Sequence, residues 1–213
     1  MKIKVCGMRD IENISNLLVL KPDFIGFIFY EKSKRFIKDI PQIDFPKKTK
    51  KVGVFVNESI ENVIDKINKF QLNLVQLHGS ESPEYCRELR HSELISESHS
   101  FEIIKAFSVD EKFNFSATIP YNIYCKYFLF DTKGENYGGN GVKFNWNILQ
   151  NYKGETPFLL SGGIAKNDVK QILSFLRRHE SKRCIGIDIN SGFEIEPGLK
   201  NLEDIKEFKN NLK

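Results

Sequence analysis

A chain of 213 residues with 40% hydrophobic content is the size of one domain with a full core. Its net charge of +4 favours small anionic ligands, and its lysines are too dispersed for a nucleic-acid footprint. No apolar run reaches spanning length, no signal peptide precedes the first strand, and Cys6, Cys86, Cys125 and Cys184 show no ligand-like spacing, which points to a cytoplasmic protein with free thiols, no membrane contact and no metal.

Short bursts rich in Ile, Val and Phe alternate with amphipathic stretches. Ile3 to Cys6 is the first predicted strand, and a helix is expected from Asp10 to Leu20. The second strand is Phe24 to Phe29 and the third Val52 to Val56, with the basic run Lys47 to Lys51 read as a solvated turn just ahead of it. A helix from about Ser59 to Phe70 follows, since Ile60, Val63, Ile64 and Ile67 share one face. Leu74 to Leu77 is the fourth strand, and Ser82-Pro83 opens the next helix, with Pro where a missing N–H costs nothing. Ile103 to Phe107 and Tyr127 to Asp131 are the fifth and sixth strands. Between them Ser108 to Asn122 holds Pro120 and little periodicity, so the fifth helix is expected to be short or replaced by a loop. Phe158 to Leu160 and Cys184 to Ile187 complete eight strands, Asn167 opens a helix-like segment between them, and Leu202 to Leu212 is the closing helix.

Continuous apolar strands of this kind are covered on both faces, as in parallel sheets with helical crossovers. The architecture this predicts is α/β, a single (β/α)8 TIM barrel filling residues 1–213. Two strands run straight into small, glycine-bearing loops, Ser161-Gly162-Gly163-Ile164 and Asp188-Ile189-Asn190-Ser191-Gly192. Glycine lets a backbone approach a ligand, and loops after strands seven and eight are where such barrels bind phosphate. A small phosphorylated substrate is therefore expected.

Active sites of these barrels lie at the C-terminal strand ends. Cys6, Arg35, Asn57, Gln76, His78, Gly79, Asp131 and Asp188 all fall there. Each also has a plain structural reading: buried thiol, solvated loop charge, hydrogen-bonded core histidine or turn-capping carboxylate. A thiolate base and a protonated carboxyl acid on two sides of a phosphorylated sugar would suit proton transfer beside a C=N or C=O group. An arginine could bind a substrate carboxylate through two hydrogen bonds.

Lys4-Val5-Cys6-Gly7-Met8, Ser33-Lys34-Arg35-Phe36, Val75-Gln76-Leu77-His78-Gly79, Asp131-Thr132 with Gly138-Gly139-Asn140-Gly141 and Phe144-Asn145-Trp146, the two glycine loops, and Pro197-Gly198-Leu199-Lys200 occur in order along the chain. Together they resemble the N-(5′-phosphoribosyl)anthranilate isomerase family of tryptophan biosynthesis. The resemblance implies an Amadori rearrangement with Cys6 as general base and Asp131 as general acid. It implies Arg35 on the anthranilate carboxylate, and Gly162, Gly163, Asn190, Ser191 and Gly192 on the phosphate. Gln76, His78 and Asp188 are further pocket candidates. No cofactor is implied, and the assembly is expected to be a monomer or a homodimer. Asn190 stands where the family generally has Ser, Asn140 where it has Ser or Thr, Val142 where Lys is frequent, and Asn201 where Asp is common.

Overall fold

The computed structural model describes residues 1–95, 100–132 and 145–212. Eight parallel strands close on themselves: β1 (Lys2–Val5), β2 (Phe24–Ile28), β3 (Lys50–Phe55), β4 (Leu74–Leu77), β5 (Glu102–Val109), β6 (Tyr127–Thr132), β7 (Phe158–Leu160) and β8 (Cys184–Ile189). The predicted barrel is present, and every predicted strand is found within a few residues. Closure is made by β1 against β8, with Lys4 opposite Asp188 and Val5 opposite Ile189.

Alternation along each strand separates two cores. One side chain set, including Cys6, Phe24, Val54, Leu74, Ile104, Leu129 and Leu159, fills one compact cluster. The other set, including Val5, Ile25, Leu77, Ile103, Phe128, Phe158 and Ile187, packs in a larger cluster with the covering helices. Those helices are α1 (Ile11–Val19), α2 (Ile60–Phe70), α3 (Pro83–Ile95), α4 (Val169–Leu176) and α5 (Leu202–Asn211). Side-chain oxygens cap α1, α2 and α5: Asp10 accepts from the Asn13 N–H at 2.7 Å, Ser59 from Asn62 at 3.2 Å, and Asn201 from Asp204 at 3.2 Å. Each such cap is worth about 1 kcal/mol, so Asn201 serves as well as the commoner Asp.

The helical layer is incomplete. As expected, the fifth crossover has only a 3-10 helix, Phe115–Tyr121, and the sixth has another, Trp146–Asn151. Aromatic rings make up the missing cover. Phe115 and Tyr152 pack on Phe130 at centroid distances of 5.4 and 5.2 Å, and Phe158 lies 5.0 Å from Phe130. One buried Phe contributes about 1.5–3 kcal/mol, so a few rings replace much of a helix face. The second crossover, residues 29–49, contains no helix at all. Pro41 and Pro46 interrupt it, and proline offers no N–H to a helix. Ile37 and Ile40 are buried there instead, and the freed chain forms the segment that carries Arg35. Lys47 and Lys48 lie in the expected turn, whereas Lys50 and Lys51 already belong to β3.

After β8 a 3-10 turn, Ser191–Phe193, leads into a small antiparallel ribbon of β9 (Glu194–Glu196) and β10 (Leu199–Lys200). This ribbon brings two more charged residues back to the barrel rim. Among the described residues no helix is long and apolar enough to cross a membrane.

Candidate active site

A cavity of about 520 Å³ opens at the C-terminal strand ends. Its walls include Cys6, Arg35, Gln76, His78, Asp131, Gly162, Gly163, Asp188, Asn190, Ser191 and Gly192. Eleven of the thirteen residues singled out from the sequence therefore meet in one place. Asn57 and Gly79 do not: the Asn57 side chain accepts from the Ser80 N–H at 2.7 Å, and Glu81 accepts from both the Asn57 and Gly79 N–H groups. The glycine-bearing loop from Gly134 to Gly141, with Asn140, lies outside the described residues, as do Val142 and Phe144.

Cys6 follows β1 and is almost fully buried. Gly26 on β2 makes room for it, because a Cβ there would stand 2.7 Å from the Cys6 sulfur. Burial pushes the thiol up from its ordinary range, the Lys4 ammonium pulls it down, and Asp188 pushes it up again. Lys4 is wholly buried, and its Nζ donates to Asp188 Oδ1 at 2.9 Å. Burial disfavours the Lys4 charge, but Asp188 and Cys6 outweigh it and hold Lys4 above the ordinary lysine value. Burial likewise lifts the Asp188 carboxyl, with Lys4 opposing. Ser161 donates its hydroxyl to Asp188 Oδ2 at 3.3 Å.

Asp131 is the penultimate residue of β6, opposite Ser108 of β5. Its Oδ1 accepts from the Thr132 N–H at 2.9 Å, and Oδ2 lies 3.3 Å from His78 Nε2. The Gln76 amide sits 2.8 Å from His78 Nδ1. With Gln76 Nε2 donating, Nδ1 is an acceptor and Nε2 carries the proton toward Asp131. Gln76 Oε1 is buried with no partner among the described residues, an acceptor that a ligand hydroxyl could fill.

Arg35 is already engaged. Its Nε donates to Glu194 Oε1 at 2.8 Å and its Nη2 to Glu194 Oε2 at 2.6 Å. A guanidinium has five donors, so this fork fixes the plane of the group and leaves the Nη1 side for a ligand. Lys200, buried beneath, donates to Glu194 Oε1 at 2.6 Å and to Asn190 Oδ1 at 2.8 Å. Burial alone would raise Glu194, but Arg35 and Lys200 bring it down to about 2. Lys200 moves down as well, to about 8, because the loss of water outweighs the attraction of Glu194.

The two glycine loops form one wall. Gly162 has φ +92°, and a Cβ there would lie 2.1 Å from Thr132 Oγ1, so only glycine fits. Ser191 and Gly192 open the 3-10 turn after β8, where the first N–H groups have no acceptor within the turn. The Asn190 side chain is spent on Lys200 rather than offered to the loop's concave side.

The sequence reading assigned no role to Lys4, Glu194 or Lys200. Lys4 left a usable trace, since a charged residue two positions before Cys6 on a strand shares its face. Glu194 left none, because its pairing with Arg35 depends on how the β9–β10 ribbon folds back, and Lys200 showed only as the last residue of the Pro197 to Lys200 motif, its pairing with Glu194 set by the same ribbon.

A closed eight-stranded parallel barrel, with a thiol, a carboxyl, an oriented arginine and glycine loops around one polar cavity, is a TIM-barrel enzyme in architecture. A family model described as N-(5′phosphoribosyl)anthranilate (PRA) isomerase matches residues 3–211. An N-(5′-phosphoribosyl)anthranilate isomerase from Parabacteroides distasonis is 48% identical over 213 residues, covering 98% of this chain and 91% of that protein. The crystal structure of phosphoribosyl anthranilate isomerase from Thermotoga maritima matches with a TM-score of 0.80 at 30% identity, covering 100% of this chain and 98% of that one. A phosphoribosyl anthranilate isomerase crystallised in complex with reduced 1-(o-carboxyphenylamino)-1-deoxyribulose 5-phosphate matches with a TM-score of 0.77 at 29% identity, again over 100% and 98% of the two chains. The chain belongs to the N-(5′-phosphoribosyl)anthranilate isomerase family.

Proposed function

We propose that Cys6 is the general base and Asp131 the general acid of the family's Amadori rearrangement, with Arg35 on the anthranilate carboxylate and the loops after β7 and β8 on the phosphate. The enzyme is an isomerase of tryptophan biosynthesis that converts N-(5-phosphoribosyl)anthranilate to 1-(2-carboxyphenylamino)-1-deoxyribulose 5-phosphate. The observation that carries the residue assignment is that Cys6 and Asp131, from β1 and β6, face the same cavity, whose far walls are an arginine and two glycine loops.

The steps follow from proton balance. Asp131 gives its proton to the ribose ring oxygen, and the C1′–O bond breaks as the nitrogen lone pair forms an iminium. That C=N makes C2′–H acidic, so the Cys6 thiolate can now take it. The enolamine that results gains a proton at C1′, loses one from the 2′ hydroxyl and becomes the ketose. One proton leaves Asp131 and one arrives at Cys6, so proton transfer alone balances the isomerisation. His78, held by Gln76, donates toward Asp131 and keeps its carboxyl aimed into the cavity. Glu194 does the same for Arg35, and the substrate carboxylate takes the remaining Nη1 edge. The buried acceptor Gln76 Oε1 receives a ribose hydroxyl.

This reading places a single-domain enzyme in the cytoplasm, working without a cofactor as a monomer or homodimer. The test is a fluorescence assay following loss of phosphoribosylanthranilate made in situ with the purified protein. Turnover that disappears in Cys6→Ser and Asp131→Asn supports the roles; near-normal kcat in either variant removes that residue from the mechanism.

A further inference from the structure

A thiol almost sealed from water is a poor base, because burial opposes the thiolate it must form. Something in the barrel has to carry that charge. Among the described residues, three charged groups act on the Cys6 sulfur most strongly. Lys4 comes from its own strand, Asp188 from β8 and Lys200 from β10. Gly26 on β2 contributes only space. Asp131 and His78, from β6 and the end of β4, act on Asp188, and Arg35 acts on Lys200.

We propose that Lys4 is a positioning residue for this reaction: its ammonium holds the negative charge of the Cys6 sulfur while that sulfur acts as base. The inference rests on the reading of Cys6 as base. Lys4 on β1 sits two residues before Cys6, which continues the ladder just past the strand by donating its N–H to the Ile189 carbonyl at 2.9 Å, so the alternation puts both side chains on one face. It is directly opposite Asp188 in the β1–β8 ladder. Its Nζ spends one proton on Asp188 Oδ1 at 2.9 Å, and the negative charge of the Cys6 sulfur, when it forms, favours the ammonium as Asp188 does. It does not line the cavity, so it touches no substrate and acts through Cys6.

The arrangement is a three-member set of one cation and two groups that compete for it. With Cys6 as a thiol, Lys4 and Asp188 cancel. When the thiolate forms, the ammonium is shared between sulfur and carboxylate. Asp188 therefore opposes the base while Lys4 supports it, and removing either one should move the thiol in opposite directions. A lysine that merely neutralised Asp188 would raise the thiol on removal only through the carboxylate it unmasks, and removing both groups together would then leave the thiol in place.

The experiment measures Cys6 alkylation by iodoacetamide as a function of pH, with the Cys6 peptide quantified by mass spectrometry so that the other three cysteines do not interfere. Lys4→Met should shift the alkylation midpoint upward by a unit or more, which slows the reaction about tenfold at pH values below both midpoints. Asp188→Asn should shift it downward, and Lys4→Arg should restore the wild-type position. The rising limb of the kcat pH profile should move with the alkylation midpoint, while KM stays close to wild type. The double variant Lys4→Met/Asp188→Asn removes both buried charges, so no carboxylate is unmasked, and it should still shift the midpoint upward; it also stands in if Lys4→Met does not fold, and an unmoved midpoint there overturns the proposal. An unmoved midpoint in the folded variants overturns the proposal, even with Cys6→Ser inactive. A Cys6→Ser enzyme with near-normal kcat would instead overturn the base assignment, and the midpoint shifts would then report coupling without a catalytic consequence.

Discussion

Two buried ion pairs flank the upper part of this barrel, and they are put to different use. On the β4–β5 side Lys105 Nζ meets Glu81 Oε2 at 3.0 Å, together with the carbonyls of Leu77 at 3.2 Å, Gly79 at 2.8 Å and Ala106 at 3.2 Å. Glu81 in turn accepts from the Asn57 and Gly79 N–H groups. Every donor and acceptor is satisfied within the protein, and neither residue lines the cavity. On the β8–β1 side Lys4 meets Asp188 at 2.9 Å, but Asp188 and Cys6 both open onto the cavity. One pair is closed and holds the β3–β5 loops in place. The other keeps unspent bonding capacity next to a ligand site. A buried charge is thus read less from its burial than from whether its partners leave anything over for a ligand.

Breaking the closed pair gives the largest expected effect. Lys105→Met leaves Glu81 charged and buried, which should cost about 3–5 kcal/mol of stability, measured by urea unfolding. Folded Lys105→Met enzyme should turn over at a rate near wild type. A large kcat loss in folded protein would mean that the closed pair also serves the chemistry.

On the open side the loss falls on turnover. Cys6→Ser and Asp131→Asn should each lower kcat by roughly 10²-fold or more, while binding of a product analogue survives. Arg35→Ala should act mainly on KM, raising it roughly tenfold or more, because a hydrogen bond to a charged group is worth about 1.5–3 kcal/mol. An unchanged KM would mean that Glu194, not substrate, is the only partner of Arg35.

The smallest effect is a pH slope. The folded Glu194 value of about 2 lies below that of an unfolded carboxylate, about 4.3. In that interval the unfolded chain binds more protons, so stability rises with pH. The contribution is fully present above the unfolded value and is lost as pH falls toward about 2. Thermal unfolding of Glu194→Gln between about pH 5 and pH 2 should show a shallower acid slope than wild type. Equal slopes would place the acid sensitivity elsewhere.

Much of the site was legible because its parts are local. Gly162, Gly163 and Ser191-Gly192 follow strands within two or three residues, so strand and loop were visible together. Cys6 and Asp131 stood at strand ends for the same reason. The weak fifth helix also showed in Pro120 and the absence of a period. The second crossover was less clear: it has no helix, and aliphatic residues such as Ile37 and Ile40 cover the barrel without helical spacing. Arg35 was found, but its partner was not. Glu194 lies 159 positions away, and nothing in local pattern couples the two. Asn190 looked like a change in the phosphate loop, yet its oxygen is held by Lys200 at 2.8 Å.

By itself, the sequence determined the strand and helix periods and the two glycine loops, and it singled out the candidate reacting groups at strand ends, because these depend on neighbours a few residues apart. Only the closed barrel decided which charges share a proton or a field. Closure sets Lys4 against Asp188 across β1 and β8 and folds Lys200 and Glu194 under Arg35. Electrostatic interaction depends on distance in space and on exclusion of water, and both are properties of the assembled barrel rather than of any segment.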